Sequence, residues 1–166
     1  MSHPSHVKIA ESMVHAYSGK NWNELYSLVD PRIVYDETAT NRKTYGVRNF
    51  ITILREWGMA FPDSKITIKS TKSYGKTVAF DLQWTGTHEG IIETPGGEIF
   101  PTGKKIDLHA SMVIEIGERE VGLSVSGERE FVESEVGPPV VESVIHYFDM
   151  AAMEKQLELT EKEKVA

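Results

Sequence analysis

The side chains best suited to acid–base chemistry on a small organic molecule are Asp149, His88 and a group of tyrosines and tryptophans. His88 lies within the stretch Thr85-Gly86-Thr87-His88-Glu89-Gly90, at the end of a strand, and shares strand parity with Phe80, Leu82 and Trp84. Its imidazole is therefore expected on the core side, where it would polarise a ligand carbonyl or move a proton near neutral pH. The alternative is a core-edge histidine with a satisfied hydrogen bond. Asp149 has the parity of Ile145 and Tyr147 and reads in two ways. As a buried carboxylate with a raised pKa it would take a proton alpha to a carbonyl. As the N-cap of a terminal helix it would accept backbone N–H bonds, which lower the pKa and make a poor base. Tyr17, Tyr35, Trp57, Trp84 and Tyr147 are candidates to line a pocket, although aromatics in such stripes also serve as plain core. Glu37, at the end of the first strand, is a second possible carboxylate, with a solvated strand end as the favoured reading, and His109 and His146 have the parity that points away from the pocket. His3, His6 and His15 lack a partner at ligand spacing, so no metal site is expected.

Composition narrows the setting of this chemistry. The 166 residues suit one domain with a core of its own, 40% of them are hydrophobic, and no repeat or linker divides residues 1–166. A formal net charge of −7, without a basic cluster interleaved with aromatics, argues against nucleic-acid binding. The absence of cysteine excludes disulfides, thiolate nucleophiles and cysteine-ligated zinc. The first residues lack the basic and apolar regions of a signal peptide, and no apolar run approaches the ~20 residues that span a bilayer, so a cytoplasmic location is expected.

The elements that must position the candidates follow from periodicity. Val7, Ala10, Met13, Val14 and Tyr17 form a helical stripe ended by Gly19. Asn21 and Glu24 form a capping box for a short helix, which Asp30-Pro31 breaks. Residues 32–38 read as a strand and 44–61 as an amphipathic helix with Phe50, Leu54 and Trp57 on its inner stripe. Alternation predicts strands near 66–69, 78–88 and 106–116, with a turn at Tyr74-Gly75-Lys76 and a break from Glu93 to Gly103. Residues 117–137 read as an added hairpin, followed by a strand from Val140 to Phe148 and a terminal helix and tail over 150–166. Helices first and hairpins later predict an α+β fold, whose curved antiparallel sheet would leave a concave mouth for a small ligand.

Trp57 with Phe61-Pro62-Asp63, Gly86-Thr87-His88-Glu89-Gly90, Pro101-Thr102-Gly103-Lys104 and Tyr147-Phe148-Asp149 with Gln156-Leu157 come in an order that resembles the SnoaL-like polyketide cyclase family. That family lies within the nuclear-transport-factor-two-like (NTF2-like) superfamily. The resemblance spans roughly residues 5–160. It implies a cone-shaped curved sheet wrapped around N-terminal helices, in a single domain with an inserted hairpin and a C-terminal helix. It also implies a cofactor-independent enzyme of cyclase or isomerase type, using neither metal nor organic cofactor and acting on an apolar carbonyl compound. Asp149 stands where the family's cyclases place their acid/base, His88 would face the developing oxyanion, and assembly would be a homodimer or homotetramer. About 20 residues intervene where family members make a tight turn between the last two strands. Fold alone does not fix function. A non-catalytic ligand-binding or dimerisation module is the competing expectation, and an epoxide hydrolase would need an arginine between two carboxylates that the strands do not show.

Overall fold

The computed structural model describes residues 4–94, 96–121 and 135–159. Among these described residues four α-helices, α1 (Pro4–Ser18), α2 (Trp22–Leu28), α3 (Val47–Ala60) and α4 (Met150–Gln156), accompany eight strands. Strands β1 (Val29–Glu37), β2 (Arg42–Tyr45), β3 (Lys65–Tyr74), β4 (Thr77–Thr87), β7 (Lys105–Val121) and β8 (Glu135–Phe148) make one sheet in the order β2-β1-β8-β7-β4-β3. The short strands β5 (Ile92–Thr94) and β6 (Gly97–Ile99) pair separately, inside the segment expected to be only a break. The α+β class holds, with one addition: β1 runs parallel to β8, so the sheet is mixed.

Local chemistry explains most boundaries. Asn21 Oδ1 accepts from Glu24 N–H at 3.2 Å, while Glu24 answers with its carboxylate to the Asn21 side-chain amide at 3.1 Å. α1 stops before Gly19 as expected, but the residue in the left-handed region is Lys20, at φ 55°. The helix expected from residue 44 begins later, because Arg42–Tyr45 pairs with β1 as β2. α3 then buries Phe50, Ile51, Leu54 and Trp57 against the sheet, each contributing about 1.5–3 kcal/mol of transfer free energy.

The alternation of β4 is confirmed through its length. Val78, Phe80, Leu82, Trp84 and Gly86 are buried, and His88 just beyond the strand is buried with them. The added-hairpin segment is a continuation of the β7–β8 ladder: Glu118 pairs with Pro139 and Val121 with Glu135, with bulges on the way. Residues 122–134 of that insertion, and 160–166 of the expected tail, lie outside the described residues.

The C-terminal end of α3 is tied to the turn after β4, where Glu89 and Gly90 N–H both donate to the Ala60 carbonyl, at 2.9 and 3.0 Å. A β-carbon on Gly90 would overlap the Met59 carbonyl oxygen. Gly90→Ala is accordingly expected to lower the unfolding free energy by about 1–3 kcal/mol in urea denaturation; an unchanged midpoint would show that α3 and the turn can separate freely.

Candidate functional site

The concave side of the sheet and the helices α1 and α3 enclose a small apolar cavity of about 30 Å³. That is room for one or two water molecules. Tyr17 and Met13 reach it from α1, Trp57 from α3, Tyr35 from β1, Trp84 from β4 and His146 from β8. Four of the five aromatics proposed as ligand contacts thus stand on its wall. Tyr147, the fifth, is 55% exposed on the opposite face of β8.

His146 is the main correction to the parity argument. It was expected outside the pocket, yet it is buried, as are its same-face neighbours Val144 and Phe148, whereas Ile145 and Tyr147 face outward. Both faces of 141–148 carry apolar residues, so alternation does not say which is inward, and taking Asp149 as inward selects the wrong one.

Glu37 is the second correction. Instead of a solvated strand end, it is fully buried on the same face of β1 as Ile33 and Tyr35. Its carboxylate is surrounded by donors. Oε2 accepts from Tyr35 Oη at 2.7 Å and from Trp57 Nε1 at 2.8 Å. Oε1 accepts from Arg42 Nη2 at 2.8 Å, from Arg42 Nε at 3.2 Å and from the Thr40 hydroxyl. Arg42 is itself fixed by Glu56 at 2.9 Å. Burial raises the Glu37 pKa, but the Arg42 charge, His146 and the hydrogen bonds from Thr40 and Arg42 outweigh it, and the carboxyl lies below its ordinary range. It is an anion at neutral pH.

That anion orders the rest. Tyr35 has one proton and gives it to Glu37, so the 2.9 Å contact between Tyr35 Oη and His146 Nδ1 must be an Nδ1–H donation to the phenol oxygen. Burial pushes His146 down to about 4, against the opposing pull of Glu37, so the imidazole is neutral. Burial and then the Glu37 charge raise Tyr35 well above its ordinary value. Proton counting therefore gives Glu37 carboxylate, Tyr35 phenol and His146 in the Nδ1–H tautomer, with Nε2 left as a lone-pair acceptor. No described residue hydrogen-bonds to that Nε2.

The two proposed catalytic residues lie elsewhere. Asp149 is exposed and caps α4, its Oδ1 accepting from Ala151 N–H at 2.9 Å and Ala152 N–H at 3.2 Å. His88 is 0% exposed, and neither residue lines the cavity. His88 Nδ1 accepts from Thr102 N–H at 3.2 Å and lies 3.0 Å from the Thr102 hydroxyl, joining the turn after β4 to the loop before β7. Its ring packs on Phe61, and burial lowers its pKa. The structure thus brings Tyr17, Tyr35, Trp57 and Trp84 together, and sets Asp149, His88 and Tyr147 apart from them. Glu37, Arg42 and His146 complete the constellation. For Glu37 a signal was present, since Ile33, Tyr35 and Glu37 alternate on one side of a strand with an arginine five residues on.

Among the described residues there is no cluster of three or more histidines and carboxylates placed to hold a metal ion, and no helix long and apolar enough to cross a membrane.

Comparison with curated proteins gives no match. Among solved structures, a protein from Jannaschia sp. CCS1 assigned to the SnoaL-like polyketide cyclases superposes with a TM-score of 0.72 at 13% identity, covering 96% of this chain and 98% of that one. IdmH from Streptomyces antibioticus gives 0.67 at 17%, covering 95% and 100%. A protein of ketosteroid isomerase-like fold from Catenulispora acidiphila, solved with trimethylamine, gives 0.65 at 15%, covering 92% and 93%. At these identities the likeness is one of fold. The family model of the SnoaL-like polyketide cyclases matches residues 7–121, more than half of the chain. With that match and an NTF2-like arrangement of helices and sheet, the chain belongs to the SnoaL-like polyketide cyclase family.

Proposed function

We propose that this protein is a cofactor-independent acid–base enzyme of cyclase or isomerase type, acting on a small, largely apolar carbonyl compound, with His146 as its proton acceptor. One observation carries the reading. The Nδ1 side of His146 is committed to Tyr35 and through it to the Glu37 anion, which leaves Nε2 as the lone pair without a partner among the described residues, on a ring that lines the apolar cavity and must turn its Nε2 edge inward as a ligand enters. A proton taken on Nε2 makes an imidazolium whose charge is balanced through the Tyr35 phenol by Glu37.

A histidine titrating near 4 is a modest base. It suits a carbon acid that is already activated, such as a C–H between two carbonyl groups. The cavity must widen to admit such a molecule, and Met13 and Met112 on its wall are side chains able to move aside. A second copy of the chain would pack on the outer sheet face, where Val113, Ile145 and Tyr147 are exposed.

The test is solvent-deuterium exchange at the central carbon of ethyl 2-methylacetoacetate, followed by proton NMR above the buffer rate. The wild type is expected to accelerate exchange and His146→Gln to lose roughly 10²–10⁴-fold of that acceleration. Equal exchange by both proteins would sink the role of His146. The small cavity favours a second reading, a non-catalytic binding module. That reading predicts a ligand-dependent rise in melting temperature with no exchange at all.

A further inference from the structure

We propose that the open edge of β3 is a docking site for an extended acidic segment of a partner protein, which joins the sheet there as a further strand. The inference stands apart from the acid–base reading and needs neither His146 nor the cavity.

β3 is the last strand of its sheet, so only one of its edges is paired, with β4. The Ile66 N–H turns away from β4 and donates to Ser18 Oγ at 3.0 Å. Alternation turns the backbone groups of Ile68 the same way and, past the bulge between Ile68 and Ser70, those of Thr71 and Ser73. The next contact along this side is His6 Nδ1, 3.2 Å from the Gly75 carbonyl. Among the described residues, no group outside the sheet hydrogen-bonds the backbone of residues 67–74. An edge in this state is a template for another strand.

The side chains say which strand. Residues 65–76 hold four lysines and no acidic residue, in a chain of net charge −7. Lys65, Lys69, Lys72 and Lys76 are all exposed, and none forms an ion pair among the described residues. The acids on neighbouring strands are engaged elsewhere. Asp81 accepts from Ser70 Oγ at 2.8 Å and stands 3.8 Å from His109 Nε2, and Glu115 accepts from the Thr77 hydroxyl at 2.7 Å. Lys65 and Lys72 pair with Thr85 and Ala79 on the outer face, whereas Ile66 and Ile68 turn to the inner face and pack on the core. A strand laid on this edge would set acidic side chains outward, beside the lysines, and apolar or β-branched ones inward, beside the isoleucines.

Lysines and a bulge on an edge also discourage aggregation. The two roles agree. The charges that repel a second β3 edge, lysine against lysine, attract a strand of the opposite sign. If repulsion were their only purpose, an acidic strand would find no ladder to join.

The test is an NMR titration of the full chain with the peptide acetyl-EVEVETET-amide. The amide signals of residues 67–74 are expected to shift and to gain protection from hydrogen exchange. Three counterparts separate charge from pairing. Acetyl-KVKVKTKT-amide reverses the charge and should not bind. The acidic peptide methylated at every backbone nitrogen keeps its charge, loses every N–H and should bind roughly tenfold more weakly. A short oligothymidylate of equal charge offers phosphates without a strand and should also bind more weakly. Lys69→Glu combined with Lys72→Glu changes only exposed side chains, and should weaken the acidic peptide by roughly tenfold. Absence of binding by the acidic peptide, shifts confined to another part of the molecule, or unchanged affinity in the double variant would overturn the proposal. So would equal binding of any of the three counterparts.

Discussion

Glu37→Ala is expected to lower the unfolding free energy by about 3–5 kcal/mol, the usual consequence of removing one partner from a buried ion pair. The carboxylate is fully buried and is the acceptor for Trp57, Tyr35, Thr40 and Arg42. Its loss orphans the buried donors Trp57, Tyr35 and Thr40 and leaves the Arg42 guanidinium with Glu56 as its remaining carboxylate partner. Glu37→Gln keeps the shape but turns an amide N–H toward other donors, so a smaller loss is expected. Urea denaturation of both variants against wild type measures the difference. A loss below about 1 kcal/mol for Glu37→Ala would mean the group behaves like a solvated surface pair, contrary to its burial.

Acid is expected to destabilise the protein already between pH 6.5 and about 4, by roughly 3 kcal/mol from His146 alone. The sign follows from burial. The folded-state pKa of His146 is depressed, so its contribution is fully present above the unfolded value of 6.5. As pH falls, the unfolded chain binds a proton that the folded one refuses, and stability declines until pH reaches about 4. Tyr35, Glu37 and Arg42 are the ionisable groups nearest the imidazole in this network, and Glu37 opposes the shift. Glu37 is also depressed, so its own contribution is lost lower, as pH falls through its folded pKa below the ordinary 4.5. His146→Gln should flatten the stability profile between pH 4 and 6.5 in urea titrations. An unaltered slope would show that His146 does not titrate as a buried neutral group.

Much of the fold is legible because burial leaves a mark at a regular period. The inward row Val78, Phe80, Leu82 and Trp84 alternates with polar residues, and the α3 stripe recurs every three or four residues. β8 carries no such mark. Val144, His146 and Phe148 compete with Ile145 and Tyr147, and only the partner strands decide which row faces in. Glu37 was hidden for another reason. A carboxylate at a strand end normally belongs in water, and its burial depends on Trp57, twenty residues later, and on Arg42. Asp149 shows the converse. Local rules for helix caps described its position well, while its resemblance to a family position pointed to the pocket.

The parallel pairing of β1 with β8 has a kinetic consequence. Tyr35 and His146 are separated by 111 residues yet share a hydrogen bond, and the strand that carries His146 follows the stretch matched by the family model. A nascent chain can close the β3–β4 hairpin early, from residues that are neighbours in sequence. The cavity has to wait until residue 148 has been made and the two ends of the chain have met. Non-local closure of this kind is slow relative to hairpin formation. The Glu37–Tyr35–His146 network therefore closes late in folding, and a fragment that stops at residue 121 would keep Glu37, Tyr35 and Arg42 while lacking the imidazole that they hold.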